Sequence, residues 1–469
     1  MAQALWQLSA QQLAATIAAG DCSASQALDS VLGRIAQINP RLNALPVVLT
    51  ESARQAAQAA DQHQAAGQSL GPLHGVPVTI KNNQDIAGQA TTEGSEALRD
   101  NLAPHDSPVV ANLKAAGAIV LGISNTPALS MRWFTDNALH GQTLHPWDAA
   151  LTPGGSSGGA AVAVASGMGP IAHGNDTAGS IRYPAYACGV FGLRPSPGRI
   201  PAYKHTAPGR GISHQLFTVQ GPLARCMADI RLAFAAMGQG SPLDPLWVPP
   251  PAAEPLPDRA LRIGVFSRHP DYPAHPAVTQ VLQDVADTLA KNGAEVHDTV
   301  PPVFEEVTQL FHGLSTNDMR RKGIAAVERM GDDATRLILA RGLSRAPDWD
   351  RDAYLDALAR RLELARAWSL WLQAFDVVVM PVSWEPPFLV NEDLGPESRY
   401  QAMVRAQSPL VAPACLGVPG LAVPVGGHSA MPLGVQLIAP PFHEERLLRV
   451  GEIIEKYLPM PDRMLDILP

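Results

Sequence analysis

Between Pro153 and Arg199 the chain sets two serine clusters in glycine: Gly154-Gly155-Ser156-Ser157-Gly158-Gly159 and Asp176-Thr177-Ala178-Gly179-Ser180-Ile181-Arg182. Glycine lets the backbone take turns closed to other residues and come close to a ligand. A serine on such a turn presents its hydroxyl, with backbone N–H groups beside it to hold an oxyanion. Two clusters in so short a span predict one site that uses both. The small residues from Ala160 to Ser166 read as a closely packed helix whose N-terminus lies near Ser156.

This stretch resembles the signature of the amidase signature family. Ser156 stands where that family has the middle serine of a Ser-Ser-Lys triad, and Ser180 where it has the nucleophile. The triad lysine should lie earlier, in a Gly-x-Pro-x-x-x-Lys strand, and Gly75-Val76-Pro77-Val78-Thr79-Ile80-Lys81 fits. A lysine ending a buried strand is unusual in itself, because burial disfavours the ammonium. Phe191-Gly192-Leu193-Arg194-Pro195-Ser196-Pro197-Gly198-Arg199 and Gly221-Pro222-Leu223-Ala224-Arg225 extend the resemblance. It covers most of residues 5–240 and 373–455.

The resemblance implies an α/β fold, a large mixed β-sheet core surrounded by helices. It implies hydrolysis of the carbon–nitrogen bond of a small amide, with carbamates and esters as related substrates and no cofactor. Lys81 would take a proton from Ser156, which relays one from Ser180; Ser180 would form an acyl-enzyme that water then hydrolyses. The Gly155–Ser156 peptide bond would be cis. The backbone N–H groups of Thr177, Ala178, Gly179 and Ser180 would form the oxyanion hole, and an Asp176–Arg182 pair would hold that loop. Substrate contacts are expected from Met131, Trp133, Phe134 and Asp136, in the segment aligned with the family's loop over the site, and from Ser157. Trp133 and Phe134 are equally readable as core, since large aromatics are more often packed than ligand-facing.

The chemistry is consistent with the residues. A serine hydroxyl needs a base within hydrogen-bond reach. A neutral lysine can serve only if its pKa falls from ~10.4 toward ~7–8. Desolvation at a strand end does that. Three positions depart from the family pattern: Asn82 replaces a frequent aspartate, Asn175 a threonine and Ala178 a glycine. Ala178 carries a steric cost if its position requires positive φ.

A formal net charge of −8 over 469 residues argues against a nucleic-acid or anionic-membrane surface. The widely spaced Cys22, Cys188, Cys226 and Cys415 form no metal-type pair and read as reduced, buried thiols. No metal site is expected. The N-terminal sequence lacks a signal-peptide pattern, and no apolar run approaches the ~18 residues of a membrane span. A cytoplasmic enzyme acting on a small molecule is the expectation, with a homodimer left open.

Four stretches are expected: an N-terminal helical segment (1–66) packed on the core, a catalytic core (67–240), a helical or αβ lobe shaping the substrate pocket (241–372), and a C-terminal return to the same core (373–469). Ser9 with Gln12 and Ser23 with Gln26 form capping boxes for two helices, and Pro40 should stop the second. The Pro-rich residues 240–259 mark a surface crossing.

Three rivals stand. Gly154-Gly155-Ser156-Ser157-Gly158 also fits Gly-x-Ser-x-Gly, so an α/β-hydrolase with His428 or His443 is conceivable, although it explains neither Lys81 nor the second cluster. The glutamine-hydrolysing subunit of a tRNA amidotransferase belongs to the same family. An inactive binding protein on the same scaffold is the third.

Overall fold

The computed structural model describes residues 3–251, 259–426 and 433–460. Within them one sheet takes eleven strands: β1 Val47–Val48, β2 Pro77–Lys81, β3 Ile119–Ser124, β4 Ile171–Asp176, β5 Phe191–Arg194, β6 Val219–Ala224, β7 Arg262–Val265, β8 Glu295–Asp298, β9 Val377–Pro381, β10 Gly420–Val425 and β11 Leu433–Ile438. Their order is β1-β3-β2-β4-β6-β5-β10-β11-β9-β7-β8. The sheet is mixed, as expected. β2 runs parallel to β3 and β4, and β7 parallel to β8 and β9, while β4 to β9 through the middle pair antiparallel.

Strands β2, β3, β6, β9, β10 and β11 are buried at every residue. Such strands must be covered on both faces, which is what their near-continuous apolar runs require. The helices supply that cover. Gly158–Ala165 is entirely buried and lies against β4 and β6, where small side chains permit close approach. Leu13, Ile17, Leu28, Val31 and Ile35 of the first two helices join the same hydrophobic core.

Both capping boxes form: the Ser9 and Ser23 side chains accept from the amides of Gln12 and Gln26. Pro40 does not stop its helix, which runs over Ala24–Leu42 and ends at Asn43 in the left-handed region. A proline in the last turn removes one hydrogen bond without unseating the buried face that holds the helix down. Of the Pro-rich crossing, residues 252–258 lie outside the described residues. After β7 and β8 the chain builds four helices, Phe304–Asp318, Ile324–Met330, Asp333–Arg345 and Arg351–Leu372. No helix among the described residues is long and apolar enough to cross a membrane.

Candidate active site

Lys81 is the last residue of β2 and is fully buried. Its Nζ lies 2.6 Å from Ser156 Oγ and 2.6 Å from Asn175 Oδ1. Among the described residues no carboxylate pairs with it. Burial is the largest influence on its pKa and drives it well below 10.5; the Asp176 and Glu93 charges oppose this, and Lys204 adds to it. Asn82 donates to Thr92 Oγ1 at 2.8 Å, so no charge stands at the position where the family often has an acid.

The two serine clusters meet. The Gly155–Ser156 peptide bond is cis, and a Cβ on Gly155 would stand 2.6 Å from the Arg132 carbonyl oxygen. The Ser157 amide donates to the Ser180 carbonyl at 3.2 Å, tying one cluster to the other. Ser156 and Ser180 both open onto a cavity of about 340 Å³.

Asp176 organises the nucleophile loop from within. Its carboxylate accepts from the Gly179 amide at 2.8 Å, the Ile181 amide at 3.1 Å and Arg182 at 2.9 and 3.0 Å, with Arg194 at 3.3 Å. All three side chains are fully buried. Burial alone would raise the Asp176 pKa; Arg182 and Arg194 outweigh it and hold the group far below the carboxylate range. The expected Asp176–Arg182 pair is present.

The expected site residues divide. Met131, Trp133, Thr177 and Ala178 line the cavity beside Ser156 and Ser180. Trp133 donates its indole N–H to the Ala178 carbonyl at 3.0 Å. Three expected substrate contacts lie elsewhere. Phe134 is 2% exposed and stacks on Phe388 with ring centroids 6.3 Å apart, so it is core. Ser157 is buried, its hydroxyl 3.3 Å from the Asn175 carbonyl. Asp136 accepts from Asn391 at 3.5 Å, away from the cavity. The Gly179 amide, expected in the oxyanion hole, is taken by Asp176. Gly179 has φ +106°, and a Cβ there would come 2.6 Å from Leu410 Cδ1; Ala178 is not at positive φ, so its methyl meets no backbone penalty.

Several contributors escape a reading of the sequence. Asn175 sits in β4, parallel to and paired with β2, which brings its amide to Lys81. His173, also in β4, is hydrogen-bonded to Gln220 at 2.9 Å and kept neutral by burial, its pKa lowered to about 3. Arg132 forms a bidentate pair with Asp393 at 2.7 and 2.8 Å across 261 positions. The helical lobe contributes Phe311, His312, Ser315, Met319, Ile338 and Arg345 to the cavity wall. Only sheet order and helix placement bring these together, and neither shows as a local motif.

The serine-histidine rival finds no support. Ser156 is bonded to Lys81, His443 approaches the Pro441 carbonyl instead, and His428 lies outside the described residues. No cluster of three or more metal-ligating side chains occurs among the described residues. Cys22, Cys188 and Cys415 are buried, Cys226 is half-buried, and none is in a disulfide.

The amidase family model matches residues 26–448. An indoleacetamide hydrolase of Bradyrhizobium diazoefficiens is 41% identical over 453 residues, 96% of this chain and 86% of that protein. A glutamyl-tRNA(Gln) amidotransferase subunit from Salinispora arenicola is 32% identical over 485 residues, 96% of this chain and 97% of that one. Among solved structures, 6-aminohexanoate cyclic dimer hydrolase superposes with TM-score 0.84 at 26% identity, covering 98% of both chains. An inhibitor-bound protein from work on the origins of an s-triazine catabolic enzyme gives TM-score 0.84 at 28% identity, covering 96% of this chain and 98% of that one. The chain is an amide-hydrolysing enzyme and belongs to the amidase family, with the amidase signature fold.

Proposed function

We propose that the enzyme cleaves a small amide through an acyl-enzyme on Ser180, with Ser156 and Lys81 as its proton relay. The observation that carries this is the 2.6 Å contact between a fully buried Lys81 and Ser156 Oγ. A lysine without a carboxylate, its pKa pushed down by burial, is a base rather than a structural cation. Neutral Lys81 takes the Ser156 proton as Ser156 takes the Ser180 proton. The Ser180 oxygen forms a bond to the amide carbon, and the developing oxyanion is held by backbone N–H groups of Thr177, Ala178 and Ser180. The proton returns through Ser156 to the nitrogen, the C–N bond breaks and amine leaves. Water repeats the sequence on the ester and frees the acid. Asp176 serves this chemistry by fixing the Gly179 and Ile181 amides, so the loop is set before substrate arrives.

The apolar lining, with Trp133, Met131, Phe311 and Met403, suits an apolar acyl body. Similarity to an indoleacetamide hydrolase at 41% identity makes arylacetamides the first compounds to try. Amine release from indole-3-acetamide, phenylacetamide, anilides, carbamates and esters should be measured with the wild type and Ser180→Ala. Turnover lost in the variant supports the mechanism; turnover retained by it refutes the mechanism.

A second reading, the glutamine-hydrolysing component of an amidotransferase, is favoured by the 32% identity to such a protein over nearly its whole length. Glutamine hydrolysis only in the presence of a co-purifying partner would select it.

A further inference from the structure

Among the described residues, the cavity wall carries one cation with no carboxylate paired to it. Of its other lining cations, Arg132 is paired with Asp393 at 2.7 Å, Lys204 with Glu93, and Arg210 with Asp244 at 3.9 Å. Arg345, at the end of the helix Asp333–Arg345, has no carboxylate within 4 Å among the described residues. The Glu397 carboxylate, which acts on it from a distance, is paired instead with Arg341 at 3.0 Å. Arg345 reaches His312 Nδ1 at 2.7 Å. Burial, with Arg345 adding to it, holds the His312 pKa well below 6.5, so the ring is neutral; accepting at Nδ1 leaves its proton on Nε2. Arg345 Nε and Ser315 Oγ are buried without a partner, and both residues line the same cavity as Ser180. His312 and Ser315 stand one turn apart on the helix Phe304–Asp318, and His312 meets that guanidinium.

Arg345 itself is half-buried, but a guanidinium N–H held out of water with its hydrogen bond unmade is costly unless something else supplies the acceptor. We infer that Arg345, with Ser315 and His312, is an anion subsite, and that the substrate is an amide whose acyl group ends in a carboxylate. A carboxylate fits because its two oxygens match the planar guanidinium fork and accept from several donors at once. The amide end would sit at Ser180 and the acid end at Arg345, with the apolar wall between them. This rests on the proposed Ser180 mechanism and narrows its substrate.

The test is a graded series of monoamides of straight-chain dicarboxylic acids, from succinamate to suberamate, each beside its neutral methyl ester as a matched amide substrate. The expected result is one chain length at which the free acid has a KM about tenfold to a hundredfold below its ester, the size of one charge-assisted contact. In Arg345→Met that ratio should fall to about one, and in Ser315→Ala it should fall part of the way. As a check independent of the variants' folding and of how the acids themselves turn over, the dicarboxylate of that length should inhibit phenylacetamide hydrolysis by the wild type competitively, more strongly than its monomethyl ester. Arg345, His312 and Val404 also border an adjacent cavity of about 560 Å³. If Arg345 is simply solvated from that side, acids will show no advantage over esters at any length, and the subsite is refuted. A preference that survives Arg345→Met refutes it equally. Failure of the underlying mechanism would look different: Ser180→Ala would keep wild-type turnover of phenylacetamide whatever the acid-to-ester ratio.

Discussion

Lys81 Nζ and Asn175 Oδ1 lie 2.6 Å apart, at the same distance as Lys81 Nζ and Ser156 Oγ. A carbonyl acceptor in place of a carboxylate orients the amine without stabilising its charge as strongly. The amine is thereby aimed at Ser156 while burial keeps it a base.

That balance predicts a pH profile and a stability change together. Activity should rise with pH through the Lys81 pKa, which lies well below 10.5, and Asn175→Asp should move this limb to higher pH by supplying a counter-charge. Because the folded-state pKa is lowered, the unfolded chain binds the proton more tightly, so Lys81 costs stability at neutral pH and the cost fades as pH rises toward 10.5. Lys81→Met should lower kcat by roughly three to four orders of magnitude and raise Tm. Rate profiles and thermal melts check both parts.

Asp176 predicts the opposite sign. Its folded-state pKa lies below the ordinary 3.8, so its stabilisation is present above that value and is lost as pH falls below it. Asp176→Ala leaves Arg182 and Arg194 buried without their partner and should cost about 3–5 kcal/mol in urea denaturation at pH 7. The variant's remaining stability should also depend less on pH in the acid range.

Adjacent positions of the nucleophile loop should respond very differently. Gly179→Ala places a methyl against Leu410 at positive φ and should abolish turnover or folding. Ala178→Gly should change kcat/KM by only about two- to fivefold, the scale of a backbone-entropy effect. Circular dichroism beside steady-state rates separates folding from activity.

Trp133→Phe keeps the aromatic wall and removes the hydrogen bond to the Ala178 carbonyl. The expected loss is about 1 kcal/mol in kcat/KM, roughly fivefold, with the fold unchanged. Phe134→Leu should instead lower Tm with little change in KM, since that ring packs on Phe388.

The contrast between Trp133 and Phe134 marks how far the sequence could be read. The Gly-framed serines, the strand ending in Lys81 and the capping boxes are local patterns, and each appears in the structure where its residues stand. Neighbouring aromatics on an irregular loop have no period to say which faces the core, so one lines the cavity and the other does not. Pro40 misled because helix-stopping rules speak of the backbone alone, whereas Ile35, Ile38 and Leu42 anchor the helix by burial. Arg345 and Asn175 acquire meaning only from long-range placement, through the packing of the helical lobe and the parallel register of β4 with β2. The same holds for the shared sheet: β7 and β8 come from the stretch read as a separate lobe, yet they extend the sheet beyond β9.

The most direct measurement is peptide mapping by mass spectrometry after labelling the folded enzyme with a fluorophosphonate. Modification of Ser180 is predicted, absent in Ser180→Ala and strongly slowed in Lys81→Met. Labelling of another serine, or of Ser180 at an unchanged rate in Lys81→Met, would contradict the assignment of Ser180 as nucleophile and Lys81 as its base.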